Sequence, residues 1–296
     1  MEGDLYLSNL SFFYGESVDV DAMGTIIYRQ QGHKFDGSLL HDFDLLVLIV
    51  HEQDEMEPLV EHTMAGELRC QVQHINRDSL QRWLIAREKN DLVKCFLEGE
   101  IIKDSDNRLA QLRQEYREFV QPLRDQKMFF EFARFLWMYV DAKRHMQDGH
   151  IMDAYHSVLD SLKHWASIEL IERGIFPEPV VWEQVRSRNT AIHKLYEELT
   201  LSTETLEQRV ELVLLACEFS VMSKMSQCSN SLMQIMGSRS HPWTINELIH
   251  HPELSIVSNE LPLVLRKLVN RSLIKELPVW SEHAGYGAQE ICYCVD

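Results

Sequence analysis

His41-Asp42-Phe43-Asp44-Leu45-Leu46-Val47-Leu48-Ile49-Val50 is the stretch on which the fold turns. The apolar run from Leu45 to Val50 is far short of the ~20 residues needed to span a bilayer. It is also too continuous for a strand with one wet face. It predicts a strand covered on both sides. Asp42 and Asp44 stand at its mouth. Two residues apart on an extended chain, they project to the same side. Close carboxylates repel unless something compensates. Mg²⁺ does so, because it prefers hard oxygen ligands and usually also binds substrate phosphate. The competing explanation is that both aspartates simply solvate a strand start, since turn chemistry also favours Asp.

The flanking segments complete a small α/β unit. Gly24-Thr25-Ile26-Ile27-Tyr28 is short, β-branched and aromatic, as strands are. Residues Glu67 to Ile75 alternate polar and apolar, which predicts a half-exposed strand. Leu80, Trp83 and Leu84, then Leu92, Val93, Phe96 and Leu97, fall at helical spacing until Gly99. Glu100 to Asp104 reads as a short edge strand. Gly24-Thr25, taken as a turn, would offer backbone N–H groups and a hydroxyl to phosphate oxygens. With the aspartate pair it suggests metal-assisted phosphoryl or nucleotidyl transfer.

Further along, the pattern changes twice. From about residue 106 to 237 amphipathic stripes predict an antiparallel helical bundle. One helix carries Phe129, Phe132, Leu136 and Tyr139. A second runs from Tyr155 through Trp165 to a stop at Gly174, and a third carries Val181, Val185, Ile192, Tyr196 and Leu199. A long fourth spans Leu206 to Leu232, capped by Ser202 or Thr203. Trp83, Trp137 and Trp165 are expected in cores. Residues 238–296 open with the capping box Thr244-Ile245-Asn246-Glu247. A second helix follows with Leu263, Leu265, Leu268 and Val269, and the chain closes on the strand Ile291 to Val295. This order reads as a winged helix. The expected fold is therefore multi-domain α+β: a mixed-sheet unit (1–105), a helical bundle (106–237) and a winged helix (238–296).

The chain has 296 residues, 45% of them hydrophobic, and a formal charge of −17 from 46 acidic and 29 basic side chains. The length allows two or three ordinary cores. The charge argues against coating nucleic acid or anionic membrane with the whole surface. Met1-Glu2-Gly3-Asp4 lacks the basic start of a secretory signal, and no segment is long and apolar enough for a membrane helix. Six cysteines without a disulfide framework fit reduced thiols and a cytoplasmic location. Cys292-x-Cys294 near His283 reads as alternation on a last strand, because structural zinc needs four ligands. His241, His250 and His251 read as surface histidines in turns.

Gly-[Ser/Thr], a spacer, and Asp-x-Asp leading into an apolar strand is similar to the pattern of the polymerase-β-like nucleotidyltransferase fold. The whole order resembles bacterial nucleotidyltransferase-like proteins, which join such a domain to a helical substrate-binding-type domain and a C-terminal helix-turn-helix. The resemblance implies that Gly24 and Thr25 hold a nucleoside triphosphate, that Asp42 and Asp44 bind Mg²⁺, and that a third carboxylate comes from a later strand. That strand reads Glu67-Leu68-Arg69-Cys70-Gln71-Val72-Gln73, and its central polar positions carry no anion. Only Glu67, at its start, could serve. A missing third carboxylate removes the group that activates the attacking acceptor, so weak or lost transfer is the expectation. An acceptor would be held by the helical domain, with Tyr155, Lys163, Arg188 and His193 as lining candidates.

Two other functions stand beside this one. Arg188-Asn189-Thr190-Ala191-Ile192-His193 resembles the Arg-x4-6-His motif of HEPN domains. It implies a homodimeric ribonuclease in which Arg188 binds phosphate and His193 moves protons. A solvated helix face explains the same residues more simply. Arg266, Lys267 and Arg271 form a local basic strip on the candidate recognition helix. This fits nucleic-acid contact, although winged helices also dock proteins. It supports a non-catalytic regulator working through the C-terminal domain.

Overall fold

Apolar, β-branched runs form the strands and amphipathic stripes the helices. The computed structural model describes residues 22–29, 43–52, 58–188, 190–220, 222–280 and 289–295. Its contacts divide into two compact units, meeting at Glu118 and Phe119. The first unit holds a mixed sheet of β1 (Ala22–Arg29), β2 (Leu45–His51), β3 (Leu59–Ala65), β4 (Leu68–Asn76) and β5 (Glu100–Asp104), in the order β3-β4-β2-β1-β5. β2 and β4 are parallel and the other pairs antiparallel. β2 lies at the centre with Leu45, Val47, Leu48 and Val50 at most 1% exposed, as its unbroken apolar run predicts. β5 is an edge strand. β3 is the strand that sequence patterning missed: five of its seven side chains are exposed, so no apolar alternation marks it.

The single helix expected up to Gly99 is two, α1 (Arg77–Ala86) and α2 (Asn90–Glu98). Arg87 and Lys89 between them both take positive φ, which ends one helix and starts the next. α3 (Arg108–Glu118) belongs to the first unit, so that unit runs on past residue 105. Asp104 fixes its start: the N–H groups of Leu109 and Ala110 donate to the two Asp104 carboxylate oxygens, each at 2.9 Å. Leu109 then packs onto β1. A Cβ added at Gly24 would lie 2.4 Å from Leu109 Cδ1 and 2.6 Å from the Lys103 carbonyl oxygen.

The second unit is built on the antiparallel hairpin of α4 (Gln121–Gln147) and α5 (Ile151–Glu172). Phe132, Phe135, Leu136, Val158, Leu162 and Ala166 are all buried in its core. Trp165 is buried as expected, but Trp137 is 40% exposed and corrects that expectation. The expected third helix is again two, α6 (Val181–Arg186) and α7 (Ala191–Leu201). Ser187 Oγ donates back to the Gln184 carbonyl, and Thr190 Oγ1 accepts from the His193 N–H. Local hydroxyl bonds of this kind compete with helix continuation. The expected long fourth helix also breaks, into α8 (Leu206–Ser220), α9 (Met225–Cys228) and α10 (Asn230–Gly237). Ser223 Oγ donating to the Ser220 carbonyl marks the first break. Thr205, rather than Ser202 or Thr203, caps α8, exchanging bonds with Gln208.

The C-terminal part of this unit is a winged helix. β6 (Trp243–Thr244), β8 (Gln289–Cys294) and β7 (Lys275–Trp280) form a three-stranded antiparallel sheet beside α11 (Ile245–Ile249) and α12 (Leu261–Asn270). The Thr244–Glu247 capping box is present. Leu265 and Leu268 are buried as expected, whereas Leu263 is only half-buried, and Val264 takes its place in the core.

Inside the hairpin, Lys127 Nζ lies 2.7 Å from Glu131 Oε1, and His164 Nδ1 2.6 Å from Glu131 Oε2. Burial pushes the Glu131 carboxyl up, but Lys127 and His164 outweigh it and hold it down at about 2. A folded-state value below the ordinary carboxylate one stabilises the fold at neutral pH. That contribution fades as pH falls through the ordinary range toward 2. We expect the thermal midpoint to drop over that window in the native chain and less steeply in Glu131→Gln. Lys127→Met, which strands a buried carboxylate, should cost about 3–5 kcal/mol in urea unfolding. Gly24→Val should cost about 1–3 kcal/mol by overpacking against Leu109.

Candidate functional site

The Asp-x-Asp segment sits where β2 enters the sheet. Asp42 lies outside the described residues. Asp44 is exposed and immediately precedes β2. Because β2 and β4 run parallel with Leu45 opposite Cys70, Asp44 meets Arg69. The Asp44 N–H donates to the Arg69 carbonyl at 2.8 Å, and the Arg69 N–H donates to Asp44 Oδ2 at 2.8 Å. This two-way clasp holds the carboxylate at the strand mouth. Phe43 packs on His62 of β3 with ring centroids 4.5 Å apart. Asp44 therefore offers a fixed, hard-oxygen donor, a type that suits Mg²⁺.

The neighbouring strand brings no carboxylate to that level. Arg69 stands beside Asp44, followed on the same face by half-buried Gln71 and by buried Gln73. Gln73 Nε2 donates to the Leu59 carbonyl at 3.2 Å. Glu67 is exposed in the two-residue turn joining β3 to β4. Asp104 is committed to capping α3.

Gly24 and Thr25 are not in a turn, which corrects that expectation. Both lie inside β1, with Val50 and Ile49 of β2 opposite on one side and Asp104 and Lys103 of β5 on the other. Thr25 is fully buried, and its hydroxyl has no hydrogen-bond partner among the described residues. Gly24 is accounted for by the close approach of Leu109. Gly37-Ser38 also matches Gly-[Ser/Thr] and lies nearer to the aspartates in sequence. It falls outside the described residues.

In the helical unit the four lining candidates fall on three segments. Half-buried Tyr155 and exposed Lys163 are both on α5. Arg188 lies in the turn after α6, with Nη1 donating to the Gln184 carbonyl at 2.8 Å. His193 lies in the first turn of α7, 3.5 Å from Glu197. Arg188 thus lies outside the helix that carries His193. None of the four lines a cavity of about 310 Å³ in this unit. That cavity is lined instead by Arg124, Asp125, Glu172 and Asn230, among others. Asn230 Nδ2 donates to Asp125 Oδ2 at 2.8 Å, and Arg124 Nη2 donates to the Ile171 carbonyl at 3.1 Å. Arg124 Nε has no hydrogen-bond partner among the described residues. These residues come from three helices and had no common sequence signal.

On α12, Arg266 and Arg271 are exposed and Lys267 is half-buried. Arg266 Nη1 lies 3.0 Å from Glu276 Oε1. The cysteines are free thiols. Burial pushes Cys95, Cys217 and Cys228 up to about 12, which keeps them protonated at neutral pH and unfit as nucleophiles. Cys292 and Cys294 alternate along β8; His283 lies outside the described residues. Among the described residues, no helix is long and apolar enough to cross a membrane.

Comparison with known proteins agrees with this layout. Residues 14–124 match the family described as nucleotidyltransferase-like, residues 125–224 the YgxA-like substrate binding domain, and residues 230–293 a helix-turn-helix domain. The uncharacterized protein YgxA of Bacillus subtilis (strain 168) is 28% identical over 254 residues, covering 84% of this chain and 86% of YgxA. The crystal structure of a nucleotidyltransferase-like protein from Exiguobacterium sibiricum 255-15 superposes with a TM-score of 0.84 at 29% identity. It covers 98% of this chain and 99% of that one. The chain therefore joins a nucleotidyltransferase-like domain, a YgxA-like substrate-binding domain and a C-terminal helix-turn-helix domain, in that order.

Proposed function

We propose that this protein binds a nucleotide together with Mg²⁺ at the mouth of β2, and that it has weak or no transferase activity. The observation that carries the proposal is the clasp between Asp44 and Arg69, which fixes a carboxylate at the strand entry of a nucleotidyltransferase-like sheet. Asp44, with Asp42 two residues before it, would hold the cation. Mg²⁺ would supply neutralisation of polyphosphate charge. The chain's own residues orient the carboxylate through the Arg69 N–H and shape the strand mouth with Phe43 and His62. Weak or lost transfer follows from the same place: the residue beside Asp44 on β4 is a cation, and Glu67 is confined to an exposed turn. Without a carboxylate to accept the acceptor's proton, attack on phosphorus lacks its general base. We assign the acceptor, a small polar molecule, to the cavity at Arg124, Asp125 and Asn230. Its volume of about 310 Å³ is that of a small-ligand site.

Calorimetry with ATP and CTP, with and without Mg²⁺, tests the nucleotide site. Binding should require Mg²⁺ and weaken at least ~10-fold in Asp44→Asn, the scale expected for a charge-assisted contact. Binding that survives Asp42→Asn combined with Asp44→Asn would overturn the proposal.

The helix-turn-helix match and the exposed arginines of α12 favour a second activity, contact with nucleic acid. A gel shift across a salt series should show binding that weakens with salt and weakens further in Arg266→Ala with Arg271→Ala. A shift unaffected by both substitutions removes α12 as the contact surface.

A further inference from the structure

The tip of the α4–α5 hairpin collects three metal-ligating side chains that the nucleotide site does not use. His145 lies in the last turn of α4, His150 directly precedes α5, and Asp153 is in its first turn. Gly149, at φ +77 with open space around it, lets the chain reverse. The His150 N–H then donates to the His145 carbonyl at 2.8 Å, and the two imidazole centroids lie 6.1 Å apart. One ligand atom from each of His145, His150 and Asp153 lies within 4.8 Å of the others.

We propose that His145, His150 and Asp153 form a site for a divalent transition-metal ion of the zinc class. The state of each group supports it. The His150 side chain does not cap α5, and Asp153 makes no side-chain hydrogen bond or ion pair among the described residues. The His145 ring is held from one side. Its Nε2 faces Asp141 Oδ2 at 3.3 Å, while its Nδ1 is buried and has no hydrogen-bond partner among the described residues. A carboxylate on one ring nitrogen fixes the tautomer and leaves the other for the ion. Asp141 is itself held, by Ser157 Oγ at 3.3 Å and by Arg144. The nearby cations are engaged: Arg144 pairs with Asp141, and Lys143 lies 3.1 Å from Glu218. The C-terminal end of α4 adds partial negative charge.

The donor set selects the ion. Two imidazoles and one carboxylate suit zinc-like metals, whereas Mg²⁺ and Ca²⁺ prefer oxygen ligands throughout. Tetrahedral zinc, with bonds of about 2.0–2.2 Å, brings its ligand atoms to about 3.4 Å from each other. Exposed His150 and Asp153 can make up the difference by side-chain rotation. Three protein ligands leave the fourth position to water. The bound ion would staple the end of α4 to the start of α5.

The test uses the full chain without a histidine tag, stripped with EDTA and desalted. Titration with zinc chloride should show one ion per chain and a rise in thermal midpoint. Titration with Co²⁺ should give visible d–d bands without thiolate charge-transfer absorption. His150→Ala and Asp153→Asn, both exposed and tolerable to the fold, should each weaken binding by at least ~10-fold. Cys292→Ser with Cys294→Ser should leave it unchanged. The proposal is overturned by absence of zinc binding, by thiolate bands, or by affinity that survives either ligand substitution.

Discussion

β2 is paired along both edges and buried on both faces, and that constraint shapes the first unit. A strand so enclosed can carry no polar side chain along its middle without a partner. Charge has to gather where the strand enters the sheet. There Asp44 is turned back onto the main chain of β4, and its carboxylate is held by a backbone N–H rather than by a side chain. The parallel register that packs Val47 beside Val72 also sets Arg69 beside Asp44. Packing of the core and composition of the site are therefore one decision. Placing a carboxylate beside Asp44 would mean replacing Arg69, since a one-residue slip of β4 would turn its apolar face outward.

The second unit is organised differently. Its long hairpin buries aromatic and aliphatic side chains, yet it also encloses Lys127 and Glu131, with His164 at the margin. Such a network is strongly destabilised by loss of one partner but is weak evidence for net stability. Its firmer consequence is geometric: it ties α4 to α5 at mid-length, while the Gly149 turn ties them at the tip. Polar side chains then collect at the ends of the helices. The cavity with Arg124 and Asn230 lies toward one end of the hairpin, and the histidine cluster lies at the other.

Much of this was legible in the residues. The unbroken run from Leu45 to Val50, the alternation from Glu67 to Ile75 and the capping box at Thr244 each carry a local signal strong enough to specify an element. β3 carried none, because an exposed edge strand has no core side to pattern. Helix breaks at Arg87 to Lys89 and at Ser187 to Thr190 were missed for a related reason. No Gly or Pro marks them, and apolar residues on both sides keep roughly helical spacing across the break. Gly24 shows the converse error. A glycine beside a small hydroxyl residue resembles a phosphate turn in sequence, but its missing Cβ makes room for Leu109, 85 positions later.

By itself the sequence determined the order of the three parts, the central strand and the aspartates at its mouth, because apolar periodicity and strand-end polarity are written over a few neighbouring residues. Tertiary structure alone decided that Arg69 occupies the place beside Asp44, that Arg124 and Asn230 share a cavity, and that His145 faces His150 and Asp153. Those meetings depend on strand register, on helices joined across long separations and on a reversal at one glycine, and the free energies that select them come from burying surfaces that no short stretch of chain contains.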